Sequence, residues 1–280
     1  MRWIILCVIT FLVFACTSEK GRIKKRVATK PHRAQTKSNV QASVQVKKNI
    51  NLPRLLSPAF LGKLVPPIIT NSKDQSEMTL VNPEHYRDSS SIFAAKETVN
   101  LSAFYIDRHE TSVAQFQMFR PDYSETIFTE NKTCPDCPAM AIDWKSAEQY
   151  CRWAGKRLPS EVEWEAAAKG STDNLWPWGN RFYEKYTNAL GENDGFTGPA
   201  PVGSFPAGTS FFGVSDMTGN VWEWVSDEVP GSSEQEPIRR IVKGGGWRSK
   251  ISETTINFQN VVSGDLQNPT FGFRCAKNLR

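Results

Sequence analysis

Histidine is scarce in this chain: only His32, His85 and His109 occur among its 280 residues. A zinc site built on Cys134-Pro-Asp-Cys137 would need two further ligands, and only His109 lies near it in sequence. Acidic residues are almost missing between positions 17 and 54, where Glu19 stands against 11 lysines and arginines, and aromatic residues are missing there altogether. That segment carries +10 and the chain from 55 onward carries −6, so the overall charge of +5 is a property of the tail. With no aromatic face to stack a base, the tail does not read as a nucleic-acid site. It is expected to be a disordered tether that favours anionic head groups or cell-wall polymers, because it cannot bury enough apolar surface to fold.

Long apolar runs are missing as well. Ile4 to Phe14 spans 11 residues, too few to cross a bilayer. Behind Arg2 it reads as the apolar part of a signal peptide, closed by Val13-Phe-Ala-Cys16. This closure resembles the lipobox of bacterial lipoproteins, with Phe14 bulkier than the residue usual there. The resemblance implies that Cys16 becomes a lipidated N-terminus and anchors the protein to a membrane of the cell envelope. Ser18 stands where an Asp would signal inner-membrane retention, which points to the outer membrane.

The expected organisation is a lipoprotein signal at 1–16, the tether at 17–54, an uncertain stretch at 55–95 and one compact domain at 96–280. Prolines interrupt the apolar content of 55–95, as in Val65-Pro-Pro-Ile-Ile, so extended segments packed on the domain are expected there. Within the domain, alternation predicts a strand over 97–107. Val113, Phe116 and Phe119 share a helical face behind a Thr111 or Ser112 cap. A second helix from near Asp143 turns Ala147, Cys151 and Ala154 inward. A third opens on a Ser160/Glu163 capping box and stops before Gly170. Beyond Gly170 periodicity is lost, and a loop-rich half built on aromatic plugs and metal-tied turns is expected.

In that half, Gly213-Val-Ser-Asp-Met-Thr-Gly-Asn-Val-Trp-Glu-Trp224 combines carboxylates, glycines and two tryptophans in a sharply turning stretch. Asp216 and Glu223, with the carbonyls of Gly219 and Val221, would suit a hard cation such as Ca²⁺. The alternative is a glycine turn with two surface acids beside core tryptophans.

Six motifs then fall in order: Phe104-Tyr-Ile-Asp-Arg-His-Glu-Thr, Tyr150-Cys-Arg-Trp-Ala-Gly-Lys-Arg-Leu-Pro-Ser-Glu-Val-Glu-Trp-Glu165, Trp176-Pro-Trp-Gly-Asn180, Met217-Thr-Gly-Asn-Val-Trp-Glu-Trp224, Lys243-Gly-Gly-Gly-Trp247 and Phe271-Gly-Phe-Arg-Cys275. In order and spacing they resemble the formylglycine-generating enzyme, or sulfatase-modifying factor, family. The resemblance implies an α+β variant of the C-type lectin-like fold, with helices on a small twisted antiparallel sheet and long irregular loops. It implies two structural calcium sites. One uses Asn188 and Asp194 with the carbonyls of Ala189 and Phe196; the other uses Asp216, Gly219, Val221 and Glu223. It also implies a disulfide between Cys151 and Cys275. Cys134 and Cys137 are expected to form a small local disulfide of an oxidising compartment, because no strand-to-helix context for thioredoxin-like chemistry is evident.

The family's oxidases bind copper through two cysteines after a Gly-Gly-Ser run. Here Gly246 replaces that serine, and Ser249 and Thr254 replace the cysteines. A hydroxyl is a poor ligand for soft Cu(I), so copper and formylglycine generation are not expected. Ile256 to Val262 stands where the family's arginines follow, and the family's iron-dependent branch draws its metal site from a His-rich domain that has no counterpart here. Trp222, Trp247 and Phe273 beside Ser249, Thr254, Asn257, Gln259 and Asn260 suit capture of a protein, peptide or glycan. The expectation is a lipid-anchored binding or assembly module, akin to the family's gliding and secretion lipoproteins and its hypervariable display proteins. The alternative is an enzyme of divergent chemistry in the same pocket.

Overall fold

The computed structural model describes residues 67–83, 101–126, 129, 132–191, 193–231 and 238–279. Cys16 and the tether lie outside these residues. Within the stretch expected at 55–95, the described residues 67–83 already hold two strands, earlier than the boundary expected at 96. β1 (Ile68–Thr70) and β2 (Glu77–Val81) pair antiparallel. The proline run ends where β1 begins, and the carbonyl of Pro67 accepts the Leu80 N–H at 2.8 Å, so the prolines interrupt no ladder. β2 then joins β3 (Phe104–Asp107), which joins β8 (Ala276–Asn278), giving a four-stranded sheet in the order β1-β2-β3-β8. The strand expected from 97 is regular only from Phe104; residues 101–103 are irregular, and 97–100 lie outside the described residues.

A second four-stranded sheet, ordered β6-β5-β4-β7, comprises β4 (Trp222–Val229), β5 (Arg239–Lys243), β6 (Gln259–Ser263) and β7 (Phe271–Gly272). Among the described residues there are two small sheets, mostly antiparallel as expected, with β7 parallel to β4. The three helices match their sequence signals. α1 (Val113–Phe119) is capped by Ser112 with Gln115 returning the bond, α2 (Trp144–Trp153) is capped by Asp143, and α3 (Glu161–Lys169) carries the Ser160/Glu163 box. Each cap satisfies backbone N–H groups that have no partner within the helix.

β4 is the wall between two cores because alternate side chains of a strand face opposite ways. Trp222 and Trp224 turn to one side, against Phe116, Ala147, Tyr150, Phe271 and Phe273 from α1, α2 and the C-terminal segment. Val225 turns to the other side, against Trp164, Ala167 and Ala168 of α3 and Phe104 and Ile106 of β3. The Cys151–Cys275 disulfide ties α2 to the residue preceding β8 and lies inside the first core.

Behind it sits a buried ionic knot. Lys156 Nζ is 2.7 Å from Asp74 and 2.8 Å from Asp107, and the Tyr150 hydroxyl donates to Asp74 at 2.9 Å. Burial raises both acids, but Lys156 outweighs it at Asp74, which is held below its usual range. Asp107, held up by burial and by the charge of Asp74, stays above it. Between Gly170 and Val221 no described residue belongs to a named strand, and the 3₁₀ turns Glu184–Tyr186 and Pro206–Gly208 are the named helical elements there. This segment carries the candidate site.

Candidate functional site

Two irregular loops meet at the front of β4. Asn220 N–H donates to the Asn188 carbonyl at 2.7 Å, and Asn188 Nδ2 donates to Asn220 Oδ1 at 3.1 Å. Gly219 allows this approach: its φ is +83°, and a Cβ there would collide with Thr187 Oγ1 and the Asn188 carbonyl. Asp216 and Asn220 also hold positive φ, at +57° and +62°. The sharply turning stretch read from the sequence is therefore real. Its acids are buried rather than exposed, with Asp216 at 6 % and Glu223 at 0 % accessibility.

The centre of this region is Arg274, itself fully buried. Its Nε and Nη2 each lie 2.7 Å from Glu223 oxygens, and Trp164 Nε1 donates to the same carboxylate at 2.8 Å. Arg274 also donates to the carbonyls of Ser215 and Asp107. A third buried acid, Glu110, accepts from Asn220 Nδ2 at 2.6 Å and from the Val221 N–H at 3.2 Å. Asp216 accepts the Gly203 N–H at 2.6 Å. Three carboxylates thus share one guanidinium. Burial, and then the charges of Asp216 and Glu223, push Glu110 well above the usual carboxylate range. Burial also carries Asp216 up to about 6, against the Gly203 N–H and Arg274. Arg274 is held above its usual value by Glu223, although burial opposes its charge.

The second expected calcium set is therefore arranged differently from the sequence reading. Glu223 is the bidentate partner of Arg274. The set still suits a hard divalent ion in donor chemistry and in charge: when ionised, Glu110, Asp216 and Glu223 exceed Arg274 by two negative charges. Residues Asp216, Gly219 and Val221 would hold the ion, with Glu223 shared. In the first set, Asp194 accepts the N–H groups of Ala189 at 3.2 Å and Phe196 at 2.8 Å, while Asn188 Nδ2 donates to the Gly198 carbonyl. Glu184, Thr187, Asn193 and Asp194 on one part and Phe182, Leu190 and Ile251 on another surround a cavity of about 30 Å³, and a hard cation there would draw on the oxygens of the polar part. Its place there would be structural, since the loops it touches have little ladder bonding of their own.

The candidate ligand face divides in two. Ser249 Oγ accepts the Gly246 N–H at 3.1 Å, and Ser249 is 5 % exposed. Thr254, fully buried, receives the Trp176 indole N–H at 3.2 Å and donates to the Ile251 carbonyl at 2.9 Å. Trp222 and Phe273 belong to the first core rather than to a pocket wall. These four are scaffold, contrary to the expectation that they line a ligand surface. Asn257 and Asn260 are exposed, and Trp247 and Gln259 are half-buried. Trp247 Nε1 and Gln259 Oε1 are shielded from solvent without a hydrogen-bond partner, and the Arg248 guanidinium lies 4.1 Å from the Trp247 ring centroid. Near them Phe258 and Ile251 are exposed, and Ile251 and the exposed Leu190 border the same small cavity.

Glu110, Asn220 and Arg274 organise the site, and the sequence reading assigned them no role. All three lie in the quoted motifs, so the signal was present, but charge pairing between residues so far apart in sequence has no local signature. Their neighbour His109 offers a pH test. Burial first, then Arg274 and Arg108, hold its imidazole down to about 4. A folded pKa below the ordinary value of about 6.5 means the unfolded chain binds more protons between those values. The His109 contribution should be complete above pH 6.5 and diminish as pH falls toward 4. Denaturation midpoints across this range should slope more steeply for the natural chain than for His109→Gln.

The two helix-flanked sheets and long irregular loops form a C-type lectin-like fold. Solved structures share it: Treponema denticola variable protein 1 at TM-score 0.65 and 20 % identity, covering 78 % of this chain and all of that one, and PvdO from Pseudomonas aeruginosa at 0.59 and 23 %, covering 76 % and 98 %. The chain belongs to the family of the sulfatase-modifying factor enzyme 1-like domain, which matches residues 69–279. Among curated relatives, the formylglycine-generating enzyme of Bos taurus is 37 % identical over 169 residues, 51 % of this chain and 44 % of that protein. The inactive C-alpha-formylglycine-generating enzyme 2 of the same species is 34 % identical over 158 residues, half of each chain. The chain thus spans about half the length of these relatives. Both the active and the inactive branch are represented.

Proposed function

We propose that this chain is a copper-free member of its family that serves as a lipid-anchored binding or assembly module in the cell envelope, with calcium as a structural ion. The observation that carries the reading is the use made of the two positions where the family's oxidases hold copper. The Ser249 and Thr254 hydroxyls are buried and committed to Gly246, Trp176 and Ile251. Hard, occupied oxygens do not make a Cu(I) site. What remains accessible, Asn257, Asn260 and the half-buried Trp247 and Gln259 beside Phe258, can donate, accept and stack without titrating, which suits a peptide or glycan of the envelope.

Two experiments test this. Titration of the purified chain with Cu(I) against a competing chelator should show no thiolate-strength binding. Cross-linking in envelope preparations should yield a partner that is retained by the natural chain and lost by Trp247→Ala with Asn257→Ala, while folding is unchanged. Tight stoichiometric copper binding, or full retention of the partner by that double variant, would sink the reading.

For the anchor, Cys16→Ser is expected to move the protein from the membrane pellet to the soluble fraction in high salt. High salt is needed because the +10 tether can hold an anionic surface by itself. A variant that still pellets would contradict the anchor.

A further inference from the structure

The two disulfides differ in burial and in the length of chain that each one closes. Cys151 and Cys275 are both fully buried and close a sequence separation of 124 residues. Cys134 and Cys137 close a separation of 3, so their bond removes little freedom from the unfolded chain. Nor does the short loop need it, because each of its four residues is held by a backbone bond to another part of the fold. The Cys134 N–H donates to buried Glu125 at 2.9 Å. The Pro135 carbonyl accepts from Ala114 at 2.9 Å, the Asp136 carbonyl from Val202 at 2.8 Å, and the Cys137 carbonyl from Val113 at 2.8 Å. Two of these bonds satisfy the first free N–H groups of α1, giving the loop a fixed seat without requiring the sulfur bridge. Accessibility is asymmetric: Cys137 is 3 % exposed, while Cys134 is half-buried between the exposed residues Thr133 and Pro135.

We propose that Cys134–Cys137 is a thiol–disulfide exchange site whose substrate is an accessible cysteine pair of another polypeptide. A substrate thiolate attacks Cys134 Sγ, the sulfur of the more exposed cysteine. The substrate–Cys134 bond forms, the Cys134–Cys137 bond breaks, and Cys137 leaves as a thiolate that takes up a proton. The substrate's second thiolate then attacks its own sulfur in the mixed disulfide, forming the substrate disulfide and releasing Cys134 as a thiolate, which is protonated in turn. Two electrons and two protons pass from the substrate dithiol to the pair, one exchange per oxidised chain. The four backbone bonds hold the opened loop in place, so the bond can close again without refolding the domain.

The test uses the full chain in graded dithiothreitol, with free thiols alkylated and located by mass spectrometry. Cys134 and Cys137 should open at a reductant concentration at least about tenfold below that needed for Cys151 and Cys275, with the thermal transition retained. In Cys137→Ser, Cys134 should form a mixed disulfide with oxidised glutathione. In Cys134→Ser, Cys137 should do so at least about tenfold more slowly, as its burial requires. Opening of both bridges together, loss of the fold when the short bridge opens, or equal rates for the two single variants would each overturn the proposal.

Discussion

Glu223→Ala is expected to lower the unfolding free energy of the domain by about 3–5 kcal/mol, the usual cost of leaving one partner of a buried ion pair without the other. The stranded group would be Arg274, which is fully buried and loses both of its short bonds to the carboxylate, while Trp164 Nε1 loses its acceptor. In the natural fold the guanidinium is shut off from solvent. Chemical denaturation with a calcium chelator present would show the midpoint falling at unchanged slope. Measured in that way, Glu223→Ala tests the ion pair apart from the metal. Calcium is tested on the natural chain, whose melting temperature should rise with added Ca²⁺ and fall with chelator. A Glu223→Ala loss under about 1 kcal/mol would mean that Arg274 finds other partners.

The second large effect concerns the bridge between α2 and the residue before β8. Replacing both Cys151 and Cys275 by Ser should cost about 5 kcal/mol in the chain-entropy description, because the closed loop spans 124 residues and includes α3, β4, β5 and β6. Two hydroxyls would also enter a core packed against Tyr150, Phe273 and Leu158. The double variant should melt far below the natural chain under oxidising conditions and somewhat below the natural chain measured in strong reductant, which keeps two thiols in place of the hydroxyls. A loss of 1 kcal/mol or less would place the domain's cohesion in its two cores alone.

These two sites show what the sequence could and could not reveal. The helices were legible because their signals are local: Ser112 with Gln115, Asp143, and Ser160 with Glu163 each name a cap within four residues. The family motifs located the Cys151–Cys275 pair and the turning loop at 213–224. The strands before 96 were hidden because Pro66 and Pro67 suggest irregular chain, whereas the prolines end as β1 begins. The Arg274 partner of Glu223 was hidden for a different reason. A carboxylate that accepts from an arginine 51 residues away cannot be told in sequence from one that awaits a cation. The hydroxyls at 249 and 254 were legible as lost thiolates, but their burial is set by Trp176 and Gly246, partners that only the folded loop brings close. On the exposed part of that face Asn260 Oδ1 accepts the Val261 N–H at 2.9 Å, which leaves its amide NH₂ and the exposed Asn257 as the groups on which a partner would depend.

The central claim is that a fold shared with formylglycine-generating enzymes here performs no copper oxidation. Its most direct test is aerobic incubation of the purified, copper-loaded chain with a sulfatase-derived cysteine peptide, with the product mass read beside a copper-loaded formylglycine-generating enzyme as positive control. The account predicts that the peptide remains unconverted, because Ser249 and Thr254 offer only hydroxyls that the fold already uses. Conversion of the cysteine to formylglycine over repeated turnovers would contradict it.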